Sequence, residues 1–191
     1  MLYSLHIFII FLQGTEDRPQ PPAGKKRRLL VNDDLKVKSP RIDEATGLHQ
    51  DQDGFVHVYT DGSCEGNGTA NTKAGYGIWW ADNHSLNRGE AASKATNNAA
   101  EIEAITEAIK LATSFTIQKL KIHTDSKFAI QCITEWMPKW KKNNWMTAER
   151  KPVKNRIELE ALDKAMKAAP GNAFRPFTRP SIFARVCKSG N

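Results

Sequence analysis

Apolar residues follow two different periods along this chain, and the changes of period predict its elements. Residues 55–60 hold Val56, Val58 and Tyr59, types that fit a pleated and buried surface, and predict a first strand. Asp61 and Gly62 then signal a turn, and residues 61–73, with Gly62, Gly66 and Gly68, predict a loop. Residues 74–80 predict a second strand, in which Gly75 and Gly77 permit close backbone approach, and a third is expected within residues 85–92. These three would pair as an antiparallel meander. From residue 97 to 112 the period becomes helical: Ile102, Ile105, Ile109 and Ala112 form one stripe, with Thr96 or Asn97 at the capping position. Residues 119–124 predict a fourth strand. A helix separates it from the meander, so a parallel crossover beside the first strand is the economical topology. A short helix over residues 126–135, burying Phe128, Ala129 and Ile133, and a longer one over 155–168, carrying Ile157, Leu159, Leu162 and Met166, complete the pattern. Asn155 and Glu158 are spaced as a reciprocal cap for the longer helix.

The flanks lack such periods. Residues 1–13 are apolar but too short for a comfortable membrane span. They have the length of a signal-peptide core, yet no Lys or Arg precedes them and no small-residue cleavage site clearly follows. Residues 14–54 contain Pro19, Pro21 and Pro22 and the basic run Lys25, Lys26, Arg27 and Arg28, and read as a disordered linker. The run suits nuclear localisation or phosphate binding, and equally a solvated stretch. After Pro170 and Gly171 the helical pattern stops, and residues 169–191 read as a divergent tail with room for one short strand at 181–186. The expected organisation is therefore a flank over 1–54, an α/β domain over 55–168 and the tail. A net charge of +7 favours polyanionic partners, nucleic acid first. Cys64, Cys132 and Cys187 are far apart and odd in number, which indicates neither a disulfide framework nor a zinc site.

The chemistry concentrates where elements end. Two strands each run into an Asp, Asp61 and Asp125, and the intervening helix carries Glu101 four residues before Ile105, on its inward side. Burying that carboxylate without a cation is costly. A cluster of this kind binds divalent cations through oxygen. Further on, Trp136, Trp140 and Trp145 interleave with Lys139, Lys141 and Lys142. Tryptophans at helical spacing read as core; aromatics among lysines also suit a groove for nucleic acid.

Taken together, Tyr59-Thr60-Asp61-Gly62, Gly75-Tyr76-Gly77, Thr96-Asn97-Asn98-Ala99-Ala100-Glu101-Ile102, Lys119 through Ser126, and Trp136 with Trp140 through Trp145 resemble, in order, the catalytic domain of eukaryotic type 1 ribonuclease H. The resemblance covers residues 55–168. It implies a ribonuclease H-like mixed sheet, an antiparallel three-strand meander plus a parallel strand flanked by helices. It also implies an endonuclease that hydrolyses the RNA strand of RNA–DNA hybrids with Mg2+, Mn2+ being the alternative and two ions being expected with substrate. Asp61 would bridge both ions; Glu101 and Asp125 would hold the one at the leaving group, with Glu101 also meeting the RNA 2′-hydroxyl. Asn67, Asn97 and Asn98 match the family's minor-groove contacts. Lys94, Thr96 and Asn155 match its phosphate pocket for the DNA strand, Trp136 and Trp140 its DNA channel, and Lys139, Lys141 and Lys142 its basic protrusion. The resemblance further implies a monomer in the nucleus or mitochondrion, with no small-molecule cofactor and no stable membrane insertion.

The chain departs from the family's pattern after residue 168. His123 is its last histidine and Asp163 its last acid, so the family's catalytic His and fourth acid have no counterpart in these residues. The family's last strand and helix are not recognisable either, which predicts an uncovered edge on the fourth strand. A second class of function, a hybrid-binding module impaired in cleavage, follows from those absences, whereas the retained Asp61, Glu101 and Asp125 favour the nuclease.

Overall fold

The computed structural model describes residues 6–11, 40–66, 71–169 and 173–177. Its centre is a helix laid across a mixed sheet. The helix, α1 (Asn97–Ser114), starts at Thr96, whose hydroxyl accepts the backbone N–H of Ala99 at 3.3 Å. That bond satisfies one of the free donors of the first turn. The apolar stripe behaves as its spacing predicts: Ile102, Ile105, Ile109 and Ala112 are fully buried. They pack with Val58, Ile78, Leu120 and Ile122 from the sheet, and with Trp80 just past it, in one core cluster. Each of the isoleucines, leucines and valines contributes roughly 1.5–3 kcal/mol relative to exposure.

The meander is β4 (Val56–Glu65), β5 (Lys73–Trp79) and β6 (Arg88–Ala91), paired antiparallel. After α1 the chain returns through β7 (Lys119–Thr124), which lies parallel to β4. Both topological expectations therefore hold. The first strand does not stop at residue 60, however. Asp61, Gly62 and Ser63 stay in the ladder opposite Gly77, Tyr76 and Gly75, and β4 runs on to Glu65. Asp-Gly reads as a turn locally, but pairing with β5, whose Gly75 and Gly77 lie opposite Ser63 and Asp61, carries the strand through it.

The sheet also extends beyond the expected meander on both sides. Ahead of residue 55, β2 (Arg41–Ile42) and β3 (His49–Gln50) form a small hairpin that joins β4, and Leu48 is buried in the core. Beyond β7, β1 (His6–Phe11) pairs parallel to it over six residues, and β8 (Ala173–Phe177) pairs parallel to β1. The expectation of an uncovered edge on the fourth strand is thus corrected: the apolar residues 6–11 satisfy the N–H and C=O groups that β7 would otherwise leave open. The strand order is β2-β3-β4-β7-β1-β8, with β5 and β6 branching from β4. Pro176 sits in β8, which among the described residues pairs with β1 alone, where a missing donor costs least. The tail strand expected at 181–186 falls outside the described residues.

On the helical side, α2 (Lys127–Gln131) passes through a wide π turn at Cys132–Trp136 into α3 (Met137–Lys142). The last helix, α4 (Arg156–Ala168), packs on α1 and buries Leu159 and Leu162. No helix among the described residues is long and apolar enough to cross a membrane.

Candidate metal centre and nucleic-acid interface

Three elements converge to build the acidic site. β4 brings Asp61 in mid-strand, α1 brings Glu101 one turn after its capped start, and Asp125 follows the end of β7. One oxygen from each carboxylate lies within 4.8 Å of the others. The approach of strand to helix depends on Gly62. A Cβ there would stand 2.5 Å from the Glu101 backbone nitrogen and 2.9 Å from the Ala100 carbonyl carbon. No other residue admits this contact without moving backbone.

Glu101 is only 4% exposed, and its Oε2 has no hydrogen-bond partner among the described residues. Burial, then the Asp125 and Asp61 carboxylates, push its pKa up to about 7, partly opposed by the Gly62 N–H. Asp61 is also raised, by burial and then by Asp125. Burial and mutual repulsion both disfavour the charged forms of these clustered carboxylates. Three hard oxygen donors, one of them buried with an orphaned oxygen, fit a hard divalent cation. The grouping of Asp61, Glu101 and Asp125 expected from sequence is therefore what the structure builds.

The expected nucleic-acid contacts fall into separate groups. Asn97 and Asn98 occupy the first turn of α1, beside Glu101, with Asn98 exposed. Asn67 lies outside the described residues. Asn155 makes no side-chain cap at α4, contrary to the sequence expectation. Its Oδ1 instead accepts from Lys94 Nζ at 3.1 Å, and Lys94 also donates to the Lys154 carbonyl at 3.0 Å. A cation outcompetes a backbone N–H for that oxygen. Lys94, Asn155 and the Thr96 turn thus form one small polar cluster. Trp136 and Trp140 lie 5.5 Å apart, partly buried against the core, while Trp145 is a core residue. Lys139 and Lys142 are exposed, whereas Lys141 donates to Asp163 at 2.7 Å and is already paired.

Sequence reading alone missed a polar chain on the sheet face opposite α1. Asp51, between β3 and β4, takes an ion pair from Lys121 and lies 3.3 Å from His57 Nε2. His57 Nδ1 is 2.9 Å from His123 Nε2, and the His123 ring stacks on Tyr59 with centroids 4.4 Å apart. Burial holds both imidazoles below the usual histidine range, His123 at about 3. The available signal was that His57 and His123 occupy alternate, same-face positions of two strands predicted to pair.

A family profile described as RNase H matches residues 53–172. The chain is similar to Ribonuclease H1 of Homo sapiens, 44% identical over 111 residues, covering 58% of this chain and 39% of that protein. It is also similar to Ribonuclease H1 of Rattus norvegicus, at 37% over 157 residues, covering 78% of this chain and 54% of that protein. Ribonuclease H of Clostridium botulinum is 40% identical over 114 residues, covering 59% of this chain and 75% of that protein. The chain thus spans about half, or less, of the length of its mammalian relatives. Among solved structures, a foamy viral protease-reverse transcriptase in complex with dsDNA superposes with a TM-score of 0.53 at 22% identity, over 65% of this chain and 81% of that one. The same type of protein in complex with RNA/DNA hybrid gives 0.51 at 18% identity, over 90% of this chain and 21% of that one. At these identities the likeness speaks for the fold.

Proposed function

The chain belongs to the ribonuclease H family, and on that premise we propose that it hydrolyses the RNA strand of RNA–DNA hybrids in a divalent-cation-dependent reaction. The observation that carries this reading is the convergence of Asp61, Glu101 and Asp125, with an orphaned buried oxygen on Glu101. These three side chains would hold Mg2+, with Mn2+ as the alternative. When bound, such ions activate water and stabilise the leaving oxygen of an in-line phosphoryl displacement.

The protein's own residues prepare that chemistry. Thr96 caps α1 and so sets the turn from which Glu101 projects, and Gly62 lets β4 bring Asp61 against it. Asn97 and Asn98, and Asn67 by its sequence position, would read the minor groove, where the 2′-hydroxyl separates RNA from DNA. Lys94, with Thr96 and Asn155, would hold a phosphate of the DNA strand, supported by the bonds from Lys94 Nζ to Asn155 Oδ1 and from the Thr96 N–H to the Lys94 carbonyl. Trp136 and Trp140 would flank the DNA channel. Lys139 and Lys142 would face its phosphates, with Lys141 adding charge from its pairing with Asp163. The basic run at residues 25–28 supports a nuclear setting, the mitochondrion being the other; the chain is proposed to act as a monomer.

Incubating the chain with a hybrid in Mg2+, and then in Mn2+, tests the reading. Cleavage confined to the RNA strand is expected, falling by at least ~100-fold in Asp61→Asn, since removing a metal ligand removes the charge stabilisation it supplies. Folded protein that binds the hybrid and leaves both strands intact would overturn the nuclease assignment in favour of a binding module.

A further inference from the structure

The parallel ladder between β4 and β7 runs from Val56 opposite Leu120 to Tyr59 opposite His123, and ends there. Two residues further on stand Asp61, still within β4, and Asp125, just past the end of β7. Their separation is therefore set not by a ladder bond but by how the last pair is held. Three ties meet at that pair. The Tyr59 and His123 rings stack at an interplanar angle of 14°. The Thr60 hydroxyl donates to the His123 carbonyl at 3.4 Å. The His123 ring is bonded back across the strands to His57 on β4.

The protonation pattern of this chain follows from its end. The Asp51 carboxylate can only accept, and it also takes the Lys121 ammonium and the Phe55 N–H, the latter at 2.9 Å. His57 must then present Nε2–H to Asp51, which leaves a lone pair on its Nδ1. That lone pair can only accept from His123 Nε2–H. The remaining nitrogen, His123 Nδ1, carries a lone pair and is buried without a hydrogen-bond partner among the described residues. One tautomer of each ring is thus selected. Lys121–Asp51 ties β7 to the turn that precedes β4, and His123–His57 ties it to β4 itself, both on the face away from α1.

We propose that the Lys121–Asp51–His57–His123 chain is a positioning device, holding β7 against β4 at their point of divergence so that Asp125 meets Asp61 and Glu101 within cation-binding distance. This rests on the reading of those acids as cation ligands. His57 and His123 are positioning residues; neither touches the reacting atoms.

The test titrates the full chain with Mn2+ alone, following free Mn2+ by electron paramagnetic resonance, and measures hybrid cleavage in parallel. His57→Phe leaves Asp51 and His123 without their shared partner. It is expected to weaken Mn2+ binding about 10-fold, near the lower end for residues that support metal ligands. It should lower kcat and leave KM for the hybrid within about twofold. His57→Gln can donate towards Asp51 and accept from His123, and is expected to recover most of the loss. Nitrogen-15 chemical shifts of the unmodified chain should show His123 protonated at Nε2 and bare at Nδ1. Folded His57→Phe that binds Mn2+ like the parent overturns the proposal, as does a proton on His123 Nδ1. If His57→Phe does not fold, the tautomer measurement decides. Failure of the parent to bind Mn2+ would instead overturn the ligand reading beneath it.

Discussion

At the scale of single residues, the site is made by what Gly62 lacks as much as by what the acids supply. Gly62→Ala would drive a methyl into the backbone at Ala100 and Glu101, and the neighbours at 2.5 and 2.9 Å are backbone atoms that cannot rotate away. The variant is expected to lose about 1–3 kcal/mol of stability, as overpacked sites do, and at least ~10-fold in Mn2+ affinity as α1 shifts Glu101 outward. Urea titration and calorimetry measure the two losses. A loss of stability with the Mn2+ affinity of the folded protein unchanged would show that Gly62 serves packing alone. Glu101 was legible in the sequence because it lies on the inward side of a clear helical stripe. Gly62 was not, because Asp-Gly signals a turn until a partner strand is present to extend it.

At the scale of elements, charge does two different jobs on neighbouring helices. Asp163 of α4 accepts from Lys141 of α3 and from Lys167 one turn on, each at 2.7 Å, and so ties two helices together. Burial raises its pKa, but the hydrogen bonds and charges of Lys141 and Lys167 outweigh this and hold it below 3.8. A carboxyl depressed on folding contributes stability that is fully present above its unfolded pKa and lost as pH falls through the folded one. Asp163→Asn is therefore expected to cost about 1 kcal/mol at pH 7, typical of a partly exposed pair, and progressively less as pH falls through the folded pKa. Denaturant midpoints over that pH range check the sign. Among the described residues, Lys139 and Lys142 on α3 make no such ion pair. Replacing both by Ala should weaken hybrid binding and flatten its salt dependence by roughly two phosphate contacts, read as the slope of log affinity against log salt. The basic and aromatic character of this segment was visible in sequence. The division of its lysines between a helix tie and the surface was not, because it depends on where α4 lies.

At the scale of the whole molecule, the sheet is completed by residues from outside the expected domain. β1 lies between β7 and β8, so part of the apolar flank outside the expected domain stands as a strand against the element that leads to Asp125. Removing residues 1–13 should lower the melting temperature by at least ~5 °C and speed amide exchange along residues 119–124, whose edge loses its partner. Unchanged exchange there would show that β1 contributes nothing to the edge of β7. By itself the sequence determined the order and type of the central elements, the meander and its parallel crossover, the buried stripe of α1 and the three acids. Each of these rests on short-range periods or on the strong constraint that a crossover places on neighbouring strands. Only the tertiary structure decided that β4 continues through Asp61, that β1 and the β2–β3 hairpin join the sheet, that Asn155 serves Lys94 rather than its own helix, and that His57 and His123 share a hydrogen bond. Those outcomes depend on partners distant in sequence, and a local pattern carries no information about which distant group will satisfy a donor, an edge or a buried ring.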